Sequence, residues 1–466
     1  MLIMWSVVAI LLVCFAYAAY ARRNETLEEY TSNRGRTGAL SIAFTVLGTC
    51  VGGWMFFGVV AIGYEAGVVG YMLGLVYFLG LLLLGLFAPA IKNAMVATQS
   101  DTLDDFLYKR FGRSVQVAVA TVNICAFVAF LASQFIALGD FLKVFSGLDL
   151  GLAIWIGAVI VISYTAISGY KGVLRTDIIQ FCVVLAASVF MVVFLFRDVS
   201  VVQVSRLPAS LFTGLGYGSP FLIGAMVFLT PSFLVRSDLW QRIASARGAK
   251  SARLGFLISA PIMLVMYVIF TSIGIGARAV LGEGQQAALS GLEWFVRAAG
   301  SEAVMIPVAI AVFLAVLSTA DSYLNIVAVG LVKVIRCKDW DEYERSGSVA
   351  ISKRLIRWTS LMTVIVGILG IAMWRLLPSI VDLVLASASG LLVLAPALVL
   401  GFFSKRRPSG PAFWSIVVGA ITIVTVMCVG GNPKTAFVPG VIVSVAVCVL
   451  GWVFTRKKKE TAPDRA

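Results

Sequence analysis

Apolar runs near twenty residues long recur along the whole chain, and nothing else constrains its fold as strongly. Met1 to Tyr20, Ile178 to Phe196 and Pro411 to Gly430 are three of them. A helix needs about 20 apolar residues to cross the roughly 30 Å of bilayer hydrocarbon. No water pairs with the backbone there, so a spanning segment is either a helix or part of a closed barrel. Barrel strands produce only weak alternating patterns about ten residues long, unlike these continuous runs. Charge agrees, since only 13% of the 466 residues are charged, about half the roughly 25% of soluble domains. The expected fold class is all-α and integral to the membrane.

Thirteen spans are predicted, over 2–20, 38–63, 68–91, 115–140, 150–168, 177–196, 217–235, 254–277, 302–332, 355–376, 378–403, 410–430 and 437–455. The division near Pro378 is the least defined. The first run lacks a basic segment before it and has Arg22 and Arg23 after it, so it reads as a retained helix instead of a cleaved signal peptide. Basic residues gather in the connections that follow odd-numbered spans. Examples are Arg34 and Arg36, Lys109 to Arg113, Lys171 and Arg175, Arg236 to Arg253, Lys333 to Arg357, Lys405 to Arg407 and Arg456 to Lys459. The excess of cytoplasmic basic residues then puts the N-terminus outside the cell inner membrane and the C-terminus in the cytoplasm.

That distribution also accounts for a net charge of +14. The excess is spread over short loops beside apolar helices, which suits anionic lipids and gives no reason to expect nucleic acid. Seven cysteines lie mostly inside apolar runs without paired spacing, and histidine is absent. Neither a transition-metal site nor an imidazole-based catalytic set is expected, which argues against an enzyme.

Polar groups at mid-membrane depth are costly and mark function. The second span holds Gly48, Gly52 and Gly53 around Cys50, Val51 and Trp54. Glycines at this density permit unwinding, which would free carbonyl oxygens for a cation, and they equally permit close helix packing. In the ninth span Ala315, Ser318, Thr319 and Ser322 share one helical face, with Asp321 beside them. These hydroxyls and the carboxylate are either cation ligands or partners in interhelical hydrogen bonds. Asp177 follows the polar turn Tyr164 to Thr176 and either caps the sixth span or looks into the bundle. Ser237 to Arg242 reads as a short cytoplasmic amphipathic helix with Trp240 at headgroup depth.

Together these segments resemble the sodium:solute symporter family. The likeness rests on Gly48 to Gly58, Tyr164 to Gln180, Ser237 to Arg242 with Ala246, and Ser318 to Ser322. It implies a five-plus-five inverted-repeat core with broken helices at the midplane: a first repeat at 38–196, a second at 217–403, and two further helices at 410–455. It also implies a sodium site formed by the backbone oxygens of Gly48, Val51 and Ala315 with the hydroxyls of Ser318 and Thr319. A second cation site would use Asp177, Ser318, Asp321 and Ser322. Asp321 stands where members with that site commonly carry a hydroxyl. Cys50 replaces an aspartate of proline-type members. Solute is expected near Cys50, Gly52, Gly53 and Trp54, with help from Ser133 and Gln134 of the fourth span and Phe228 or Ser232 of the seventh.

The function implied is sodium-coupled import of a small organic solute by alternating access, with Na+ as the coupling ion and no organic cofactor. The expected assembly is a monomer or weak homo-oligomer. Two rivals remain at this point: a proton-coupled carrier using Asp321, and a membrane sensor that binds solute without moving it.

Overall fold

The computed structural model describes residues 2–22, 26–377, 379–404, 408–431 and 435–460. Pro378, Arg23, Lys405 to Arg407 and Lys434 lie outside the described residues. So does the placement of the side chains of Arg22 and Arg456 to Lys459.

Eleven helices among the described residues are long and apolar enough to cross a membrane, and two bent pairs raise the number to thirteen. The unbroken spans are Leu2–Tyr20, Val69–Thr98, Arg113–Ser146, Leu150–Ile167, Tyr170–Asp198, Ala249–Leu281, Glu302–Ile335, Val349–Leu376, Ile380–Phe403, Ser409–Cys428 and Phe437–Thr455. The second span is Ala39–Cys50 joined to Trp54–Ala66 with a bend of 54°. The seventh is Phe221–Val235 joined to Ser237–Ser245 with a bend of 47°. Broken helices thus stand five spans apart, each opening a group of five, as expected for repeated halves.

The ninth span is the axis of the molecule. Every residue from 311 to 329 is buried, a degree of enclosure that marks a helix surrounded by other helices. It packs on the fourth and sixth spans, while the eighth runs along the third and against both halves of the second. The last two spans pack mainly on each other at the margin.

At one end of the bundle the backbone entering the second span pairs with the backbone leaving the seventh. Gly35 N–H donates to Ala244 O at 3.1 Å, Arg36 N–H to Ser245 O at 2.9 Å, and Arg247 N–H to Thr37 O at 2.9 Å. The same end holds an ion-pair network. Arg34 meets Asp101 at 2.6 Å and Lys109 meets Glu344 at 2.9 Å, and Lys333 bonds Asp105. Much of the expected basic set therefore collects on one face.

Three sequence-based expectations are corrected. The sixth helix begins at Tyr170, directly after an extended Ser168–Gly169 link. Asp177 is therefore two turns inside the helix, where no free N–H awaits a cap. Ser237 to Arg242 is no interfacial helix: Ser237–Ser245 is the second half of the broken seventh span, and all nine of its residues are buried. Trp240 donates its indole N–H to Leu234 O at 2.8 Å and stacks near Phe106 and Phe402, far from the headgroup setting expected for it. Arg236 and Arg242 accordingly belong to the interior and not to a basic loop.

Candidate functional site

The break in the second span has a local cause. Val51 leaves helical geometry at φ −101°, ψ 66°, and Gly52 and Gly53 follow before the chain re-enters a wide helical turn at Trp54. A Cβ on Gly52 would lie 2.6 Å from Thr319 Cβ and 2.8 Å from Gln134 Oε1. Only glycine lets the backbone approach the ninth and fourth spans so closely. The freed donor of the new helix is not orphaned, because Gly53 N–H donates to Gln134 Oε1 at 2.9 Å.

The break also frees acceptors. Gly48 O receives Ser318 Oγ–H at 3.2 Å and Thr319 Oγ1–H at 3.3 Å across the interface with the ninth span. Gly48, Val51, Ala315 and Ser318 line one narrow void together with Gln180, Phe181 and Val184 of the sixth span. Four of the five expected sodium-site residues thus share one enclosure and the fifth, Thr319, is bonded to its wall. The donor set is all oxygen, the chemistry a small hard cation requires, and it lies between helices at a helix break.

Toward the end of the bundle where the ion-pair network lies, the remaining polar residues converge on a buried guanidinium. Arg242 donates from Nη2 to Thr49 Oγ1 and to Ser322 Oγ, the latter at 3.1 Å. Its Nε donates to Thr45 O at 3.3 Å and its Nη2 stands 3.6 Å from Asp177 Oδ2. Asp177 Oδ1 lies 2.5 Å from Ser318 Oγ and competes with Gly48 O for its one proton, so the two expected cation sites share a hydroxyl. Asp321 is fully buried close to Asp177, Tyr164 and Cys14, with Ser322 beside its carboxylate. Orphaned atoms of Thr165, Ser168 and Gln180 lie on the adjoining fifth and sixth spans and the link between them. Buried polar groups are ordinarily paired, and a cluster that is not suits a site for ions or water.

The residues expected near solute divide into two groups. Trp54 donates its indole N–H to Tyr267 Oη at 2.7 Å, and Tyr267 stacks on Tyr77 at 4.8 Å. Cys50 lies beside Arg236, whose guanidinium is bidentate to Asp238 at 3.1 and 2.7 Å and sits over the rings of Phe130 and Phe233. Gln134 joins this group, with Ser133 Oγ accepting from its Nε2 at 3.1 Å. Two residues do not join it. Phe228 stacks on Phe437 of the last span at 5.5 Å, and Ser232 turns its hydroxyl back to Leu229 O at 2.6 Å.

Sequence reasoning missed Arg236 and Arg242, whose charge read as topological, and Gln180, a polar residue one turn beyond Asp177. One signal was available: Ser237 to Arg242 places Asp238 and Arg242 four residues apart directly after an apolar run, a pattern that an internally paired helix also produces.

The family model described as the sodium:solute symporter family matches residues 30–419. The sodium/pantothenate symporter of Escherichia coli (strain K12) is 23% identical, over 95% of both chains. The high-affinity proline transporter of Bacillus subtilis (strain 168) is 22% identical, over 89% of both. Among solved structures, a Na+-coupled sialic acid symporter in a substrate-bound outward-open state superposes with a TM-score of 0.80 at 18% identity, covering 97% of this chain and 98% of that one. A nucleobase-cation-symport-1 family transporter superposes with a TM-score of 0.61 at 16% identity, covering 94% and 96%. Both likenesses are likenesses of fold. The matched region includes both helix breaks and the whole ninth span, and the chain, a multi-pass secondary transporter and not an enzyme, belongs to the sodium:solute symporter family.

Proposed function

We propose that this chain imports a small organic solute together with sodium by alternating access. The observation that carries the reading is the convergence of Gly48 O, Ser318 Oγ and Thr319 Oγ1 at the break of the second span. Sodium there is cargo, held by these oxygens with the carbonyls of Val51 and Ala315. The ion draws the second and ninth spans together, and solute binds beside it at Cys50, Gly52, Gly53 and Trp54, with Gln134 fixing the break. Arg236, Tyr77 and Tyr267 complete that chamber.

The coupling is a difference in affinity between two conformations, so sodium and solute favour each other's binding. The halves 38–196 and 217–403 rock past one another, and release requires the joint between residues 35–37 and 244–247 to part. One charge crossing 100 mV supplies about 2.3 kcal/mol. The basic face is assigned to the cytoplasm and the N-terminus to the outside of the cell inner membrane, supported by the gathering of Arg34, Lys109 and Lys333 at one end. The names of the pantothenate and proline relatives support a small organic solute.

A second reading is carried by Asp321, whose buried carboxylate beside Asp177 suits either a second cation or a proton. The test is uptake of a radiolabelled solute panel into proteoliposomes with an inward sodium gradient or, separately, an inward proton gradient. Sodium-dependent accumulation supports symport. Accumulation driven by protons alone, and lost in Asp321→Asn, would replace sodium with the second reading.

A further inference from the structure

A cavity at the end of the bundle that holds the ion-pair network is separate from the sodium site. It has a volume of about 300 Å³, and its lining includes Arg36, Lys171, Arg175 and Arg247 with a single carboxylate, Glu29. Arg36 and Lys171 both pair with Glu29, the latter at 2.9 Å. Burial opposes ionisation of Glu29, but Lys171, the backbone at Thr26 and Arg36 outweigh it and hold the carboxyl below the usual range. Its charge is therefore already used twice. Arg175 and Arg247 are both exposed, and among the described residues neither has a carboxylate partner. The Arg247 side chain makes a long bond from Nε to Arg36 O at 3.4 Å. Four cations against one shared anion leave a pocket suited to a multiply accepting anionic group.

The position of the pocket indicates where that anion comes from. Arg175, Ile179, Cys182, Ala186, Val189 and Val193 of the sixth span are all exposed and recur every three or four residues. They form one outward stripe, apolar or weakly polar except at Arg175, which ends it. A helix face of this kind meets lipid tails, and a terminal arginine reaches the headgroup layer. Ile178 and Leu174 supply an apolar wall beside the basic groups. Basic pockets between spans at the headgroup level recognise phosphate-bearing lipids.

We propose that this pocket binds the phosphodiester headgroup of an anionic phospholipid, with Arg175 and Arg247 as its free phosphate donors and Arg36 and Lys171 as the fixed back wall. A bound headgroup joins the entrance of the second span, the sixth span and the exit of the seventh, three elements that surround the sodium-site region. The assignment rests on the membrane-spanning fold and not on the transport reading, so a chain that moves no solute still tests it.

The experiment is native mass spectrometry of the purified full chain released from micelles holding equal phosphatidylglycerol and phosphatidylcholine. The expected result is one preferentially retained phosphatidylglycerol, reduced about tenfold in Arg175→Gln/Arg247→Gln and unchanged in the charge-matched Lys250→Gln/Arg253→Gln. All four substituted side chains are exposed, and an unchanged thermal unfolding midpoint confirms folding. Equal retention by the chain and both variants would overturn the site. Displacement of the lipid by millimolar inorganic phosphate would overturn the lipid assignment in favour of a soluble phosphate.

Discussion

Arg242 sets the electrostatics of the polar cluster at the scale of single residues. It is fully buried and faces Thr45, Thr49, Ser322 and Asp177, which come from three different spans. Removing one partner of a buried pair leaves the other as an uncompensated charge, at a cost of about 3–5 kcal/mol. Arg242→Gln should therefore lose about that much stability in chemical unfolding, and adding Asp177→Asn should restore a large part of it; a strictly additive double variant would deny the pairing. Asp104, on the short helix Leu103–Phe111 between spans, gives a pH prediction. Burial and then the charge of Asp105 push its carboxyl up to about 7, against the bonds from Asn123 and Ser237 and the charge of Lys333. A raised folded value favours the protonated form, so stability is greatest at low pH and declines as pH climbs through about 7. The thermal unfolding midpoint should fall from pH 5 to pH 8, and Asp104→Asn should flatten that slope. Neither residue was readable in its role from the sequence. A lone arginine after an apolar run carries the same local signal whether it faces cytoplasm or core, and only the packing of other spans decides.

At the scale of elements, the broken second span was legible because three glycines within six residues weaken a helix in any context. The seventh was not. Its bend falls at Arg236, with no glycine between Phe221–Val235 and Ser237–Ser245 other than Gly224, near the start. Charge and a short amphipathic pattern imitated a loop: Arg236 is neutralised by Asp238 within the same stretch, and the groups that face Arg242 come from distant sequence. Gly52→Ala tests the tight junction. The added methyl would press on Thr319 and Gln134, and overpacking of this kind costs about 1–3 kcal/mol. The expected outcome is weakened sodium binding with the helix content unchanged by circular dichroism. Full retention of sodium affinity would show that the junction tolerates a side chain and that the close approach is not needed.

At the scale of the whole molecule, hydropathy alone defined thirteen spans, and all but the seventh, which runs on to Ser245, agree with the observed helices to within several residues, because the bilayer imposes one length on every crossing. The orientation proposed from charge is tested by single-cysteine labelling. In intact cells an impermeant maleimide should miss a cysteine at Lys250 and react with one placed at Glu283, on the opposite connection; the reverse pattern would invert the topology. The convergence of the sodium-site oxygens was beyond periodicity, since spacing places Ser318 and Thr319 on a face but cannot say that Gly48 meets it.

The central claim is that this convergence binds sodium, and equilibrium binding of radioactive sodium to the purified chain tests it most directly. Saturable binding by the wild-type chain that Ser318→Ala/Thr319→Ala abolishes, with the fold intact by circular dichroism, is the predicted result. Binding that survives the double substitution unchanged would contradict the account and move the coupling ion away from the break in the second span.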